Sequence, residues 1–231
     1  MKYMGSKNRI AKQLIPFIEK ERISEEQFYV EPFVGGANLI DKIKGNRIGN
    51  DINEYLIALL SAIQNGWEPP DKITKEEYYK IKNNPENYES CLVAFVGFLC
   101  SFGGKWWGGY AFNNTNRNYT REGRDNLKKQ ALNLKGIQFT SMDYRKLEIP
   151  SNSIIYCDPP YKGTTGYRNK FDHDSFYEWC RQKRDEGHII FLSEYDAPDD
   201  FECLLEINLK TTVSVNKTID NNRVEKLFRL K

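Results

Sequence analysis

The stretch SIIYCDPPYKG, from Ser153 to Gly163, decides how the rest of the chain is interpreted. Its first half is apolar enough for a buried strand, and its second half holds an acid, two prolines and an aromatic ring. Proline donates no backbone hydrogen bond and is excluded from central strands, so the strand must end at Asp158. The stretch therefore predicts a buried strand whose carboxyl end presents a carboxylate on a rigid turn.

Other short apolar runs alternate with helical patterns along the chain. The predicted strands are residues 28–30, 47–50, 137–139, 153–156 and 188–193, with amphipathic helices after several of them and one helix capped by Asp174. The tail predicts a closing antiparallel pair at 211–215 and 225–230. Because strand–helix–strand repeats form parallel sheets covered on both faces, we predict an α/β fold, mostly parallel with an antiparallel C-terminal strand.

Residues 65–135 interrupt this alternation between the second and third strands. They contain an apolar helix and then a long segment rich in glycine, asparagine, aromatic residues and arginine. Aromatic side chains argue against simple disorder, and long loops of this kind are often functional. We predict a catalytic domain formed by residues 1–64 and 136–231, with a mainly helical subdomain inserted between them.

A basic cluster within this insertion is interleaved with aromatic side chains, a pattern typical of nucleic-acid contacts. Its candidate DNA-binding residues are Lys105, Arg117, Arg121 and Arg124. The alternative is a solvated loop with ordinary surface charge. The neighbouring Trp106 and Trp107 could contact DNA or form the core of the insertion.

Composition excludes several classes of protein. The net charge of the 231-residue chain is +2, from 34 basic and 32 acidic side chains, so a polyanionic partner cannot be inferred from charge alone. No apolar run is long enough for a membrane span, and no secretory signal is evident. Five scattered cysteines and two histidines do not predict a metal site. We expect a cytoplasmic protein with reduced thiols.

Acids follow four of the predicted strands, at the edge of the sheet where ligands of such folds bind. They are Glu31, Asp51, Asp143 and Asp158. The turn EPFVGGAN, residues 31–38, has two glycines that permit close approach of a ligand. Asp51 lies twenty positions after Glu31, a spacing that suits hydrogen bonds to the ribose of a nucleoside cofactor. A purely structural turn is the alternative.

The segment DPPY, residues 158–161, has the chemistry to activate an aromatic amine. The two prolines keep the backbone out of the helical region, which leaves carbonyl oxygens free to accept hydrogen bonds. The Asp158 carboxylate and a neighbouring carbonyl could hold both hydrogens of an exocyclic amine while Tyr161 stacks on its ring. These acceptors would return electron density to a poorly nucleophilic nitrogen, a form of electrostatic preorganisation.

The motifs DPPY, EPFVGGAN and the N-terminal YMGSK together resemble the Dam-type DNA adenine N6-methyltransferases, which use S-adenosylmethionine. The resemblance implies a Rossmann-like methyltransferase sheet with an inserted target-recognition region. It also implies that adenine is flipped out of double-stranded DNA and methylated at N6 by direct in-line transfer. Three departures from the family pattern stand out. SEYDAP, residues 193–198, stands where some members carry an asparagine-containing loop, and Tyr3 stands where tryptophan is common. The insertion lacks the usual arginine–asparagine–glycine motif, which leaves the target sequence open.

The resemblance also implies roles for individual residues. Tyr3 and Lys7 would line the cofactor site near its methionine end. The turn from Glu31 to Gly36, including Phe33 and Gly35, would wrap the cofactor. Asp51 would bind its ribose, Asp143 would lie near its adenine, and Asp158 would also contact it. The target amine would meet Asp158 and the Pro159 carbonyl, with Tyr161 stacking on the base. No metal and no obligate protein partner is implied.

Two other functions are compatible with the motifs. The same amine chemistry serves methylation of RNA adenine or of cytosine N4, although the latter more often has serine in place of Asp158. A catalytically inactive DNA-binding relative is the second alternative, against which the intact acids argue. A role in restriction–modification, host marking or protection of phage DNA stays open. His173 and His188 lie far from the motifs in sequence and are predicted to be packing or surface residues.

Overall fold

The computed structural model describes residues 1–112, 117–162, 171–210 and 222–231. The strands within these residues are β1 (Tyr29–Glu31), β2 (Arg47–Asn50), β3 (Ile137–Thr140), β4 (Ile154–Cys157), β5 (Ile189–Glu194), β6 (Phe201–Lys210) and β7 (Asn222–Leu230). They form one sheet in the order β3-β2-β1-β4-β5-β7-β6. Strands β1 to β5 pair in parallel, whereas β7 is antiparallel to both β5 and β6. The predicted α/β fold is confirmed. The predicted run at 211–215 lies outside the described residues.

The α-helices among the described residues surround this sheet. They are α1 (Ala11–Lys20), α2 (Glu54–Gln64), α3 (Lys75–Asn83), α4 (Ser90–Ala94, continued by a π-helical turn to Leu99), α5 (Tyr119–Leu134) and α6 (His173–Asp185). The cap of α6 is Asp172, whose carboxylate accepts the backbone N–H of Ser175 at 3.1 Å. The prediction that Asp174 caps this helix was wrong, because Asp174 already lies in its first turn.

The sheet is buried on both faces, which explains why β2 and β4 are continuous runs of buried residues. On one face, Leu14 of α1 and Leu60 of α2 belong to a large hydrophobic cluster. On the other face, Phe176 and Trp179 of α6 pack in a second cluster with Ile155 of β4. Strands β1 to β5 are thereby held in a fixed order, and their carboxyl ends form one edge.

Helices α3, α4 and α5 come from the inserted residues 65–135, and they pack onto the first of these clusters. Tyr78, Phe95 and Leu127 are fully buried there beside residues of α1 and α2. The side-chain amide of Gln64 donates to the Ile137 carbonyl oxygen at 2.9 Å, which joins the two ends of the insertion. The inserted helices and the sheet therefore share a core, and the domain boundaries at 64/65 and 135/136 stay a prediction.

The order of the strands reverses at β1, because the chain places β2 on one side of it and β4 on the other. Ligands of open α/β sheets bind in the crevice at such a switch point, beyond the carboxyl ends of the strands. Glu31 ends β1 and Asp158 directly follows β4. Among the described residues, no helix has the length and apolar character required to cross a bilayer.

Candidate active site

Asp158 lies in a compact group of side chains at the switch point, which we call the Lys7 cluster: Lys7, Asp158, Tyr161 and Glu225. Lys7 Nζ lies 2.8 Å from Asp158 Oδ1 and 3.5 Å from Glu225 Oε2. The Tyr161 hydroxyl donates to Glu225 Oε2 at 2.7 Å, and Lys7 Nζ lies 4.8 Å from the centre of the Tyr161 ring. Four residues from three distant parts of the chain thus meet around one buried ammonium group.

The electrostatics of the cluster follow from its burial. Burial alone would lower the pKa of Lys7, but the attraction of Asp158 and Glu225 raises it above the ordinary value. Burial raises the pKa of the Asp158 carboxyl, and the adjacent Lys7 ammonium opposes that shift. About a fifth (21 %) of the Asp158 side chain remains exposed, so a ligand can reach it. Lys7 is therefore a buried cation, and Asp158 a carboxylate that a ligand can approach.

His173 holds the turn that follows β4. Its Nε2 lies 3.0 Å from the carbonyl oxygen of Pro160, and its Nδ1 lies 3.1 Å from the carbonyl oxygen of Phe171. His173 is distant from the motifs in sequence, but the start of α6 returns to the DPPY segment, and its contacts there are those of the predicted packing residue. His188 is a buried packing residue as predicted, and its Nδ1 accepts the backbone N–H of Ser153 at 3.1 Å.

Glu194 is a fifth acid at a strand end, which the sequence analysis missed. It ends β5 and is buried, with its carboxylate oxygens accepting the backbone N–H groups of Tyr195 at 2.9 Å and Lys162 at 3.4 Å. Burial raises the pKa of Glu194 to about 7, and the nearby carboxylates of Asp158 and Glu225 add to the shift. The signal was present in the sequence, since an acid directly follows the apolar run at 188–193.

The raised pKa of Glu194 predicts a loss of stability with rising pH. A carboxyl group whose pKa is higher in the folded than in the unfolded chain stabilises the fold below about pH 4.5 and loses that contribution as the pH rises through about 7. Glu194→Gln, which cannot ionise, should lack this loss. The free energy of unfolding of both proteins is measured in urea at pH 5 and pH 8. Relative to the wild-type protein, the variant should be more stable at pH 8 than at pH 5. A difference in unfolding free energy that does not change with pH would contradict the assignment.

The glycine turn after β1 is joined to Asp51. The backbone N–H of Gly35 donates to Asp51 Oδ2 at 3.1 Å, and the N–H of Asn53 donates to Oδ1 at 3.0 Å. Gly35 has φ +48°, and a Cβ built there would lie 2.9 Å from the ring of Tyr3. The turn therefore needs glycine to accommodate Tyr3 as well as to approach a ligand. Burial raises the pKa of Asp51.

Three other predicted cofactor residues have different surroundings. Glu31 is buried and accepts the Tyr29 hydroxyl at 2.8 Å, and burial raises the pKa of its carboxyl well above the ordinary value. Phe33 packs in an aromatic group on the other face of the sheet, with its ring centre 5.1 Å from that of Tyr144. Asp143 binds the guanidinium of its neighbour Arg145, which lowers the pKa of the carboxyl to about 2.

A pocket of about 540 Å³ lies beside Asp51. Its lining residues are Ile52, Asn53, Glu54, Tyr55, Trp106, Ser141 and Met142. Ile52 is 74 % exposed and Met142 is 37 % exposed, which is unusual for large apolar side chains. The volume suits a small organic ligand, and the apolar side chains suit a flat ring. Two of its lining residues are sequence neighbours of predicted cofactor acids, because Ile52 follows Asp51 and Met142 precedes Asp143.

The predicted DNA-binding side chains of the insertion lie on its surface, where three of them have acidic partners. Arg117 forms two hydrogen bonds with Glu122, at 2.6 and 2.8 Å, and Lys105 is exposed. Arg124 binds Asp71 and Asp125, and Arg121 lies 3.9 Å from Asp71. Their contact with DNA stays a prediction. The neighbouring tryptophans are packed within the protein: Trp106 lies against Phe98 and Trp107 against Tyr78, with ring centres 4.6 and 5.2 Å apart.

The insertion also contacts the N-terminal segment that contributes Tyr3 and Lys7. The backbone N–H of Met4 donates to the carbonyl oxygen of Gly104 at 3.3 Å. Gly104 has φ +71°, and a Cβ built there would lie 2.9 Å from the Lys2 carbonyl oxygen. The two backbones touch because residue 104 has no side chain. A loop of the insertion is thereby fixed against the segment that ends at the Lys7 cluster.

The sheet, its switch point and the DPPY turn define a methyltransferase-like α/β protein, and comparison with known families agrees. Residues 3–196 match the family of D12 class N6 adenine-specific DNA methyltransferases. This match covers most of the sequence and includes the YMGSK, EPFVGGAN and DPPY motifs. The chain belongs to this family, which confirms the resemblance inferred from those motifs.

Individual relatives are more distant. The chain is 26 % identical over 211 residues to the type II methyltransferase M.FokI of Planomicrobium okeanokoites, covering 78 % of this chain and 31 % of that protein. It is also 26 % identical over 197 residues to the modification methylase StsI of Streptococcus sanguinis, covering 73 % and 29 %. The chain thus spans less than a third of either relative. An S-adenosylmethionine-dependent methyltransferase structure from Clostridium acetobutylicum aligns over 95 % of this chain and 90 % of its own, with 10 % identity and a TM-score of 0.40.

Proposed function

We propose that this protein transfers a methyl group from S-adenosylmethionine to N6 of adenine in double-stranded DNA. The observation that carries the proposal is the position of Asp158. It follows β4 at the switch point of the sheet, on a proline turn and within reach of the Tyr161 hydroxyl. Membership of the N6 adenine-specific family supports the same target atom.

The residues at the strand ends fit S-adenosylmethionine. Asp51 would accept hydrogen bonds from the ribose hydroxyls, and the pocket between Ile52 and Met142 would receive the adenine ring. Gly35 would let the backbone approach, while the Asp158 carboxylate would attract the positive groups of the methionine end and Glu31 would accept a hydrogen bond there. Tyr3 and Lys7 would lie at that same end. Phe33 would be part of the turn that wraps the cofactor, and Asp143 would lie near its adenine. When bound, this cofactor supplies an electrophilic methyl group on a sulfonium.

The target amine would be prepared by the DPPY turn. Asp158 and the carbonyl oxygen of Pro159 would accept its two hydrogens, and Tyr161 would stack on the base. Such acceptors stabilise the positive charge that develops on the nitrogen, and they act without reorganisation because the turn is rigid. The nitrogen loses one proton over the whole reaction, and the Asp158 carboxylate is placed to accept it. In-line transfer then depends chiefly on the positioning of the two reactants.

The adenine must leave the helix to reach this site, because its N6 lies within the base stack of the duplex. Lys105, Arg117, Arg121 and Arg124 would contact DNA phosphates beside the flipped base. Because all three of the arginines already face carboxylates, DNA would have to compete with Glu122, Asp71 and Asp125 for them. Phosphate contacts of this kind make binding weaken with salt. No protein partner is required for the proposed chemistry, and we propose a cytoplasmic role on cellular or phage DNA.

The direct test is methyl transfer to unmethylated DNA. The purified protein is incubated with methyl-labelled S-adenosylmethionine and plasmid from a methylation-deficient host, and the modified bases are then identified and mapped by sequencing. We expect label in DNA, as N6-methyladenine at a recurring short sequence. Label in RNA only, or N4-methylcytosine in DNA, would support the alternative methyltransferases. DNA binding without any transfer would support the inactive relative.

A further inference from the structure

We propose that Glu225 is a positioning residue for methyl transfer, which accepts the Lys7 ammonium when Asp158 turns to the target amine. This inference rests on the proposed function, because it assigns a part in the same reaction to a residue of the last strand. Glu225 does not touch the base or the cofactor in this proposal. Its role is to keep the Lys7 ammonium paired while Asp158 changes partner.

Strand pairing brings Glu225 to the site. Strand β7 runs antiparallel to β5, with Lys226 opposite Glu194, so the first residues of β7 lie at the carboxyl ends of the parallel strands. Glu225 has the same parity along β7 as Leu227, which belongs to the hydrophobic cluster that contains Leu14 of α1. The Glu225 side chain therefore lies on the face of the sheet where Lys7 enters, and only 15 % of it is exposed.

Lys7 requires a partner at every stage of the reaction. Its side chain is 8 % exposed, and an ammonium group in such a place is strongly destabilising when it has no partner. In the present arrangement Asp158 is the nearer partner, at 2.8 Å, and Glu225 is the more distant one, at 3.5 Å. If Asp158 accepts a hydrogen of the target amine, a shift of less than 1 Å, roughly, gives Lys7 a normal hydrogen bond to Glu225.

Tyr161 keeps Glu225 ready for this exchange. Its hydroxyl donates to Glu225 Oε2, the same oxygen that faces Lys7. The ring of Tyr161 is in turn packed edge-on against Tyr195, with the ring centres 4.7 Å apart. Glu225 is thus held by Tyr161 on one side and by Lys7 on the other. The hydrogen bond to Glu225 also fixes Tyr161, which is proposed to stack on the base.

The acid limb of the pH–activity profile, where activity falls as the pH is lowered, should depend on the ionisation of Asp158 and therefore on the charge of Glu225. Asp158 faces Lys7, which favours its ionised form, and it faces Glu225, Glu31, Glu194 and the hydroxyls of Tyr156 and Tyr161. The negative charge of Glu225 raises the pKa of Asp158. Removing that charge should therefore let Asp158 ionise at lower pH, whereas a loss of packing alone would not produce this direction of change.

The test compares Glu225→Gln with the wild-type protein. Glutamine keeps the length of the side chain and can still accept the Tyr161 hydroxyl, but it carries no charge. The matched control is Glu206→Gln, on the same pair of strands, where an exposed glutamate lies 3.3 Å from Lys226 Nζ. Initial rates are measured from pH 5.5 to 9 with varied DNA and varied S-adenosylmethionine, which separates kcat from the two KM values.

We expect E225Q to lower kcat by about 10- to 100-fold, as for a reacting group misplaced by a fraction of an ångström, with both KM values within about threefold of wild type. The acid limb should move to lower pH, and E206Q should match the wild-type protein throughout. A wild-type kcat with an unmoved acid limb in E225Q would overturn the inference while leaving the proposed function intact.

A measurement without turnover separates the two proposals. The carboxyl carbon of Asp158 is followed by ¹³C NMR in aspartate-labelled protein, with its signal assigned by its loss in Asp158→Asn. In E225Q its titration should move to lower pH, and in E206Q it should not. An unmoved titration would overturn the inference whether or not the protein transfers methyl groups. A wild-type protein that transfers none would count against the proposed function alone.

Discussion

Replacing Asp158 with alanine should lower kcat for methyl transfer by about 10²- to 10³-fold, the effect of losing one acceptor that stabilises charge in a transition state. The variant loses the carboxylate that holds the target amine, while the Pro159 carbonyl and the Tyr161 ring remain. Folding should survive, because Lys7 keeps Glu225 as a partner at 3.5 Å. Transfer of labelled methyl groups to unmethylated plasmid measures the loss, and DNA binding should remain measurable.

Two further variants make this result specific. Asp158→Asn keeps the shape of the side chain but offers one acceptor and one donor, so it should also be severely impaired. Asp199→Asn removes an acid at an exposed position after β5 and should behave as wild type. Activity of D158A within tenfold of wild type would show that another group activates the amine. The proposed role of the DPPY turn would then be wrong.

Replacing Asp51 with alanine should weaken the binding of S-adenosylmethionine. Hydrogen bonds to a charged group contribute about 1.5–3 kcal/mol, which corresponds to about 10- to 100-fold in Kd. Alanine also removes the acceptor of the Gly35 and Asn53 backbone N–H groups, so the glycine turn should loosen. Calorimetric titration with S-adenosylhomocysteine measures the affinity without turnover.

The pattern of effects distinguishes a binding role for Asp51 from a general loss of folding. Asp51→Asn keeps one acceptor and should lose less affinity than the alanine variant, and D199N should lose none. At saturating cofactor, D51A should recover most of its kcat, unlike D158A. Unchanged affinity in D51A would place the ribose elsewhere and remove one of the supports for the cofactor site.

Most of the sheet could be predicted because local patterns determine it. Strand β2 was predicted at its observed bounds, and β1, β3, β4 and β5 to within about one residue at each end, since each is a short apolar run followed by an acid or a turn. The antiparallel end of the sheet was predicted for the segment that became β7. The capping residue of α6 was misplaced because Asp172 and Asp174 are both good caps, and only the backbone geometry distinguishes them.

The surroundings of Asp158 could be predicted only in part. The motif gave Asp158 and Tyr161, and the family resemblance gave Lys7, but no local pattern links any of them to Glu225. That contact depends on β7 inserting next to β5, a long-range pairing. The contact of His173 with the Pro160 carbonyl could not be predicted for a similar reason, because it depends on where α6 begins. Glu194 was missed although the acid directly follows an apolar run, as Glu31 and Asp51 do.

The contact between Gly104 and the backbone at Lys2 has a consequence for engineering target preference. A chimaera that exchanged residues 65–135 for the corresponding segment of another enzyme would replace the loop that contacts the N-terminal segment carrying YMGSK. Donor segments with a bulkier residue at position 104 would push that N-terminal segment away and displace Lys7, whatever bases they read. Transplants that retain a glycine there should keep their catalytic rate, so new specificities can be sought among donors that satisfy this one steric condition.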